Sequence, residues 1–181
     1  AAECFARHRG DLGLSEVTAL SDSAADSLAE HQGGLSLPSL NSVTDAALIA
    51  LSRSAGPLIL WKASIKSEEL AAAFGKHKGD LFINVPRLSG AIASSLGNHR
   101  GGLGLSGFKV LAGDAALGLS RHIGRLELLD VSSLNGIAAE CLANHDGAIT
   151  FRSLKDLPDA ERIGNLESLI ATLGPVDDRD A

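Results

Sequence analysis

The stretch Leu96-Gly97-Asn98-His99-Arg100-Gly101-Gly102-Leu103-Gly104-Leu105 returns 23 residues later as Leu119-Ser120-Arg121-His122-Ile123-Gly124-Arg125-Leu126-Glu127-Leu128. Each reads as an apolar residue, a His three places on, a Gly two beyond it, and then a Leu-x-Leu pair. The same frame runs through the chain. His8, His31, His77, His99, His122 and His145 mark it, and Ser54 stands where a His is missing. The Gly column is Gly10, Gly33, Gly56, Gly79, Gly101, Gly124 and Gly147. The pairs after it run Leu12/Leu14, Leu35/Leu37, Leu58/Leu60, Leu81/Ile83, Leu103/Leu105, Leu126/Leu128 and Ile149/Phe151. The apolar residue before each marker is Phe5, Leu28, Leu51, Phe74, Leu96, Leu119 or Leu142. Seven in-phase copies with a period of 22 or 23 residues define a repeat array.

Composition agrees with repetition. The 181 residues include 30 Leu and 20 Gly, but no Met, no Tyr, one Trp and five Phe. A free-form core of this size would draw on more large aromatic side chains. Lys and Arg number 16 against 22 Asp and Glu, a formal charge of −6. That balance argues against a nucleic-acid partner held through phosphate contacts. No apolar run approaches the ~20 residues of a membrane span. A hydrophobic content of 45% argues against disorder.

Each copy predicts one strand, one turn and one short helix. The Leu-x-Leu pair has period two, so both side chains face one side of a strand. A third apolar residue follows at Val17, Leu40, Ala63, Phe108, Val131 or Leu154. The fourth copy has Val85-Pro86 there and is one residue short. Ser21-Asp22, Thr44-Asp45 and Ser67-Glu68 then read as N-cap hydroxyls with an acid at the positive helix end. The helix apolar pairs lie four apart, as in Ala24/Leu28, Leu70/Phe74, Ile92/Leu96 and Ala138/Leu142. The His is expected to close the last turn, its ring bonding the last helix carbonyls. The column Gly is expected at the C′ position with positive φ. A two-turn helix and a short strand cannot bury enough area alone. Stacked copies can, because each Leu moved from water to core contributes roughly 1.5–3 kcal/mol. The fold class is therefore α/β: a curved solenoid, or horseshoe, with parallel strands on the concave face and short helices on the convex face.

This pattern resembles the leucine-rich repeat family, over nearly the whole chain from Ala1 to about Leu157. The Leu-x-Leu strands and the period carry the resemblance. The family places Asn or Cys three residues after the second strand Leu, to bond the turn backbone. Here that column holds Val17, Leu40, Ala63, Phe108, Val131 and Leu154, so the Asn ladder is absent. The pattern looks like that of a divergent, bacterial-type repeat. The Ala-x-x-Leu-Ala-x-His-x-Gly helix end is similar to planctomycete repeats.

Residues 1–157 form the repeats. After Leu157 the frame changes, and 158–174 reads as a C-terminal capping helix, followed by an acidic tail over 175–181. Ala1 falls inside a helix, so the chain reads as a fragment, a processed product or part of a longer array, and the uncapped N-terminal end offers a route to self-association. Cys4 and Cys141 share one small-residue column six repeats apart, too far for a mutual disulfide. Two lone thiols fit a reducing, cytoplasmic compartment or indifference to the compartment, which the sequence does not assign.

Little in the sequence points to chemistry. The His series has a metal-ladder reading and a structural reading. No Cys or carboxylate accompanies it at ligand spacing, so the structural reading is preferred and no metal or cofactor is expected. All six rings titrating near ~6.5 would bring the charge from −6 to 0. Gly102-Leu103-Gly104-Leu105-Ser106-Gly107 fits a dinucleotide glycine spacing, but its glycines lie on the strand itself. Ser106-x-x-Lys109 has no partner motif. No enzymatic activity is expected.

The outward strand columns say more. They read Gly13, Ser36, Ile59, Phe82, Gly104, Glu127, Thr150 and Ser15, Pro38, Trp61, Asn84, Ser106, Leu129, Arg152. Small and polar residues dominate, except where Ile59, Trp61 and Phe82 meet. With Lys62, Asn84 and Arg87 as a polar rim, these residues form the candidate binding surface for a protein or peptide. The rival reading is that Trp61 folds over a packing defect, because Pro57, Pro86, the missing His and the missing residue all fall nearby. A structural element that stacks end to end, or inside a larger repeat protein, is the alternative function.

Overall fold

The computed structural model describes residues 8–154. Phe5 and Cys4, the proposed start inside a helix, the 158–174 cap and the 175–181 tail lie outside the described residues. Within them, strands and helices alternate as the periodicity predicts. The strands are β1 (Leu12–Gly13), β2 (Leu35–Ser36), β3 (Leu58–Ser64), β4 (Leu81–Asn84), β5 (Leu103–Ser106), β6 (Val110–Leu111), β7 (Leu126–Leu128), β8 (Ser133–Leu134) and β9 (Ile149–Phe151). The helices are α1 (Asp22–Ala29), α2 (Asp45–Leu51), α3 (Glu68–Phe74), α4 (Gly90–Leu96), α5 (Gly113–Leu119) and α6 (Gly136–Leu142).

Seven strands form one parallel sheet in the order β1-β2-β3-β4-β5-β7-β9. Its register follows the first Leu of each pair: Leu12 sits beside Leu35, then Leu58, Leu81, Leu103, Leu126 and Ile149. Neighbouring copies thus stack in phase. A slip of one residue would turn the Leu pairs outward. A feature the sequence reading lacked is a second parallel contact after the turn. β6 pairs with β8, and single bridges join Ala19 to Ser42 and Ile123 to Asp146.

The core lies between sheet and helices. Leu58, Leu60, Leu81, Ile83, Leu105, Leu126 and Leu128 are fully buried, as are Phe74, Leu96, Leu119 and Leu142 from the helices. Two further core columns join them. One runs Leu20, Val43, Ile65, Leu88, Leu111, Leu134, on the turn between strand and helix. The other is mostly small: Ala25, Leu48, Ala71, Ala93, Ala116, Ala139. Small residues in that column let consecutive helices approach one another.

The helix starts behave as read. Ser21, Thr44 and Ser67 accept from the backbone N–H three residues on, and so do Ser89 and Asn135. α5 alone among these helices starts on Ala112, which has no capping side chain. The fourth copy absorbs its missing residue by placing Val85, fully buried, in the apolar column. Opposite it the β3–β4 register jumps from Leu60↔Ile83 to Ser64↔Asn84, so Trp61, Lys62 and Ala63 form a bulge.

The glycine expectation needs correction. Of the seven-column glycines, Gly124 (φ 130) and Gly147 (φ 151) alone have positive φ. The helices end on ordinary right-handed caps such as Glu30, Ser52 and Gly75. The demand for Gly comes from the neighbouring copy. A Cβ on Gly33 would lie 2.1 Å from the carbonyl oxygen of Gly10, one on Gly56 2.4 Å from that of Gly33, and one on Gly79 2.4 Å from that of Gly56. The backbones of consecutive turns touch here and leave no room for a side chain.

Candidate functional site

On the strand face, the parallel register sets Ile59 beside Phe82 and Phe82 beside Gly104. Alternation therefore brings together the aromatic residues that the sequence singled out. Trp61 and Phe82 lie with ring centroids 5.5 Å apart and planes tilted by 58°, a favourable geometry for two quadrupoles. The Phe82 ring covers Gly104, where a Cβ would fall 2.3 Å from a ring carbon. A Gly in that column is what admits the ring. Ile59, Trp61 and Phe82 are each half-buried. Trp61 is thus less open than a bare strand position would make it, because it leans on Phe82.

The rim residues divide. Asn84 Nδ2 donates to the carbonyl of Trp61 at 3.0 Å, so Asn84 holds the bulge that carries the Trp. Lys62 and Arg87 are exposed, and so are Lys66 and Lys109 on the same turns of neighbouring copies. The two ion pairs among the described residues, Arg53–Asp26 and Arg125–Glu127, use none of these four cations.

The largest exposed apolar side chains lie elsewhere: Val110 (67% exposed), Leu117 (52%), Ile123 (49%) and Ile137 (64%). Sequence reasoning passed over them. The signal was available in the columns, since Ile137 stands one repeat after Asp114, Ile123 one after Arg100, and Leu117 one before Glu140.

His31, His77, His99, His122 and His145 form a buried column at the opposite end of the helices from the N-caps, with exposed His8 at its edge. Their backbones do close the last turn, as His77 N–H donates to Phe74 O at 3.0 Å and His99 N–H to Leu96 O at 3.0 Å. Their rings do not bond their own helix, and this corrects the capping expectation. Four of them reach sideways to the preceding copy. His31 Nε2 meets Gly10 O at 2.8 Å, His77 Nδ1 meets Ser52 O at 3.0 Å, His122 Nδ1 meets His99 O at 2.9 Å and His145 Nε2 meets Gly124 O at 3.0 Å. Consecutive rings stack with centroids 6.1 Å apart for His77–His99, 5.8 Å for His99–His122 and 5.7 Å for His122–His145. His8 and His31 stack likewise at 6.0 Å. Buried Ser54 interrupts the series between His31 and His77.

Burial lowers the pKa of His77 and of His122 from the ordinary imidazole value. His99 is held down to about 4, by burial first and then by the rings of His122 and His77. These rings stay neutral where the sequence reading had them titrate together near ~6.5. Asp carboxylates make a second set of links between copies. Asp11 accepts from Gly34 N–H at 2.8 Å, Asp80 from Gly102 N–H at 2.7 Å and Asp130 from Gly107 N–H at 2.8 Å. They bind turn backbone between copies, a task the absent Asn ladder does not perform here.

Among the described residues, no three or more His, Cys, Asp or Glu side chains converge as a metal site. Cys141 is half-buried with a free thiol. No helix among them is long and apolar enough to cross a membrane. No protein-family model matches the chain, and no curated protein matches it.

Proposed function

We propose that this chain is a leucine-rich-repeat-like solenoid, curved with its strands on the concave side, that acts as a non-enzymatic module binding a protein or peptide on its strand face. The observation that carries this reading is the Trp61–Phe82 pair, 5.5 Å apart on a face where small and polar residues dominate. Half-exposed aromatic anchors supply large contact area at low entropic cost and commonly dominate binding energy. Ile59 extends the apolar centre. Lys62 and Arg87 form the outer rim, while Asn84 acts by fixing the bulge under Trp61.

The test is selection of binders from a displayed random-peptide library, followed by measurement on Trp61→Ala. Affinity for the selected peptides is expected to fall at least ~10-fold, the scale of an interface hot spot. The melting temperature should move by no more than a few degrees. Unchanged affinity removes Trp61 from the surface. A large drop in melting temperature assigns the Trp to packing. Self-association of the wild type that Trp61→Ala abolishes, seen by analytical ultracentrifugation, would favour the assembly role.

A further inference from the structure

We propose that the buried imidazole column is an acid-sensitive lock on the repeat array: the stacked rings of His77, His99 and His122 stay packed only while neutral, and the array opens cooperatively on acidification. This inference stands apart from the binding reading, because it concerns a different side of the molecule.

The geometry demands neutral rings. His77 and His122 each place one ring nitrogen on a carbonyl of the preceding copy. That contact fixes an N–H at the bonded nitrogen and leaves the other nitrogen as a bare acceptor. The second nitrogens, Nε2 of both, are buried without a partner, and so are both nitrogens of His99. A proton added there places a charge where water does not reach, and the backbone carbonyls of Gly56, Gly102 and Arg125 offset that cost only in part. The next ring in the column lies within about 6 Å, as the 5.8 Å and 6.1 Å centroid separations show. A second proton would therefore meet the first charge across a short, poorly screened gap.

Backbone carbonyls of Ser52 and Gly56 at His77, of Gly102 and His77 at His99, and of His99 and Arg125 at His122 favour the charged ring, but burial outweighs them, and no carboxylate pairs with these rings among the described residues. The helices ending at these three rings carry acids only in their first turns, at the far end: Glu68 and Glu69 on α3, Asp114 on α5 and none on α4, while Glu140 near the end of α6 is exposed. β4 and β5 contain no charged residue. The Asp80 carboxylate on the adjoining turn is engaged by Gly102 N–H. The Arg100 guanidinium and the His145 ring act on His122 in the unfavourable sense. Lys76, Lys78 and Arg121, exposed on the turns beside the rings, are cations too. No ion pair between a His and a carboxylate occurs among the described residues.

The direction of the pH dependence follows. These rings have folded values below the unfolded value of 6.5, with His99 at about 4. The unfolded chain therefore takes up more protons within that window. The stability gained by burying neutral rings is complete above about 6.5 and is lost as pH falls towards about 4.

The experiment is chemical denaturation of the full chain at steps from about pH 7.5 to about pH 5, a window in which ordinary carboxylates stay mostly ionised. The unfolding equilibrium constant should rise by more than ~10-fold per pH unit below about pH 6, since each ring protonated only when unfolded contributes up to ~10-fold. His99→Gln should lower that rise by up to ~10-fold per pH unit. The same slope in a folded His99→Gln overturns the proposal. If that variant does not fold, proton NMR of the imidazole C2–H signals in the wild type decides. Buried rings should stay silent until the whole spectrum collapses. Assigned His77, His99 and His122 signals titrating near ~6.5 in a still-dispersed spectrum overturn the lock.

Discussion

Gly79 shows how the array acts on a single residue. Its missing side chain makes room for the Gly56 carbonyl of the copy before it, which a Cβ would approach to 2.4 Å. The obstacle is backbone, which cannot swing aside like a side chain. Gly79→Ala should therefore destabilise by about 1–3 kcal/mol, the range for overpacking. Gly13 is the control, since a Cβ there would meet nothing within 4 Å. Gly13→Ala should change stability by less than ~0.5 kcal/mol, as surface substitutions usually do. Urea denaturation of the two variants checks both. Equal effects would show that the turns move apart readily. The Gly column was plain in the sequence. Its cause was not, because a repeat read alone suggests a left-handed helix end, whereas the steric partner is 23 residues away.

At the scale of the element, the helices are short and depend on their starts. Each has seven or eight residues, too few for stability in isolation. Five of the six described helices gain a side-chain cap, and α5 begins on Ala112 without one. Ala112 has the extended backbone, φ −80 and ψ 155, that a capping residue adopts. Ala112→Ser should then raise stability by about 0.5–2 kcal/mol, and Ser89→Ala should lower it by a similar amount. Thermal melts of both read the effect, and a neutral Ala112→Ser would show that α5 is held by packing alone. Caps were legible because donor and acceptor lie three residues apart. The strand bulge at Trp61 was not. It arises where a full-length third copy meets a shortened fourth one, so it is a property of the pair.

At the scale of the whole molecule, stability should be distributed unevenly along the array. Each copy touches mainly its neighbours, so a central copy is held from both sides. Leu105 on β5 is fully buried, whereas Leu12 on β1 is half-buried. Leu105→Ala should cost about 2–5 kcal/mol, and Leu12→Ala less than half as much. Denaturant midpoints compare them, and equal losses would contradict nearest-neighbour coupling. The sequence by itself determined the repeat frame, the strand and helix in each copy, the parallel register of the Leu columns and the meeting of Ile59, Trp61 and Phe82. Those features follow from period and alternation, which are properties of the chain read in order. The tertiary structure decided the rest. It turned the His rings away from their own helices onto the preceding backbone, gave the glycines their steric purpose, set Asp carboxylates as links between copies and laid Phe82 over Gly104. The physical reason is common to all four. A side chain's partner in a stacked array is the same position one copy away, and the direction in which it reaches is fixed only when the copies pack.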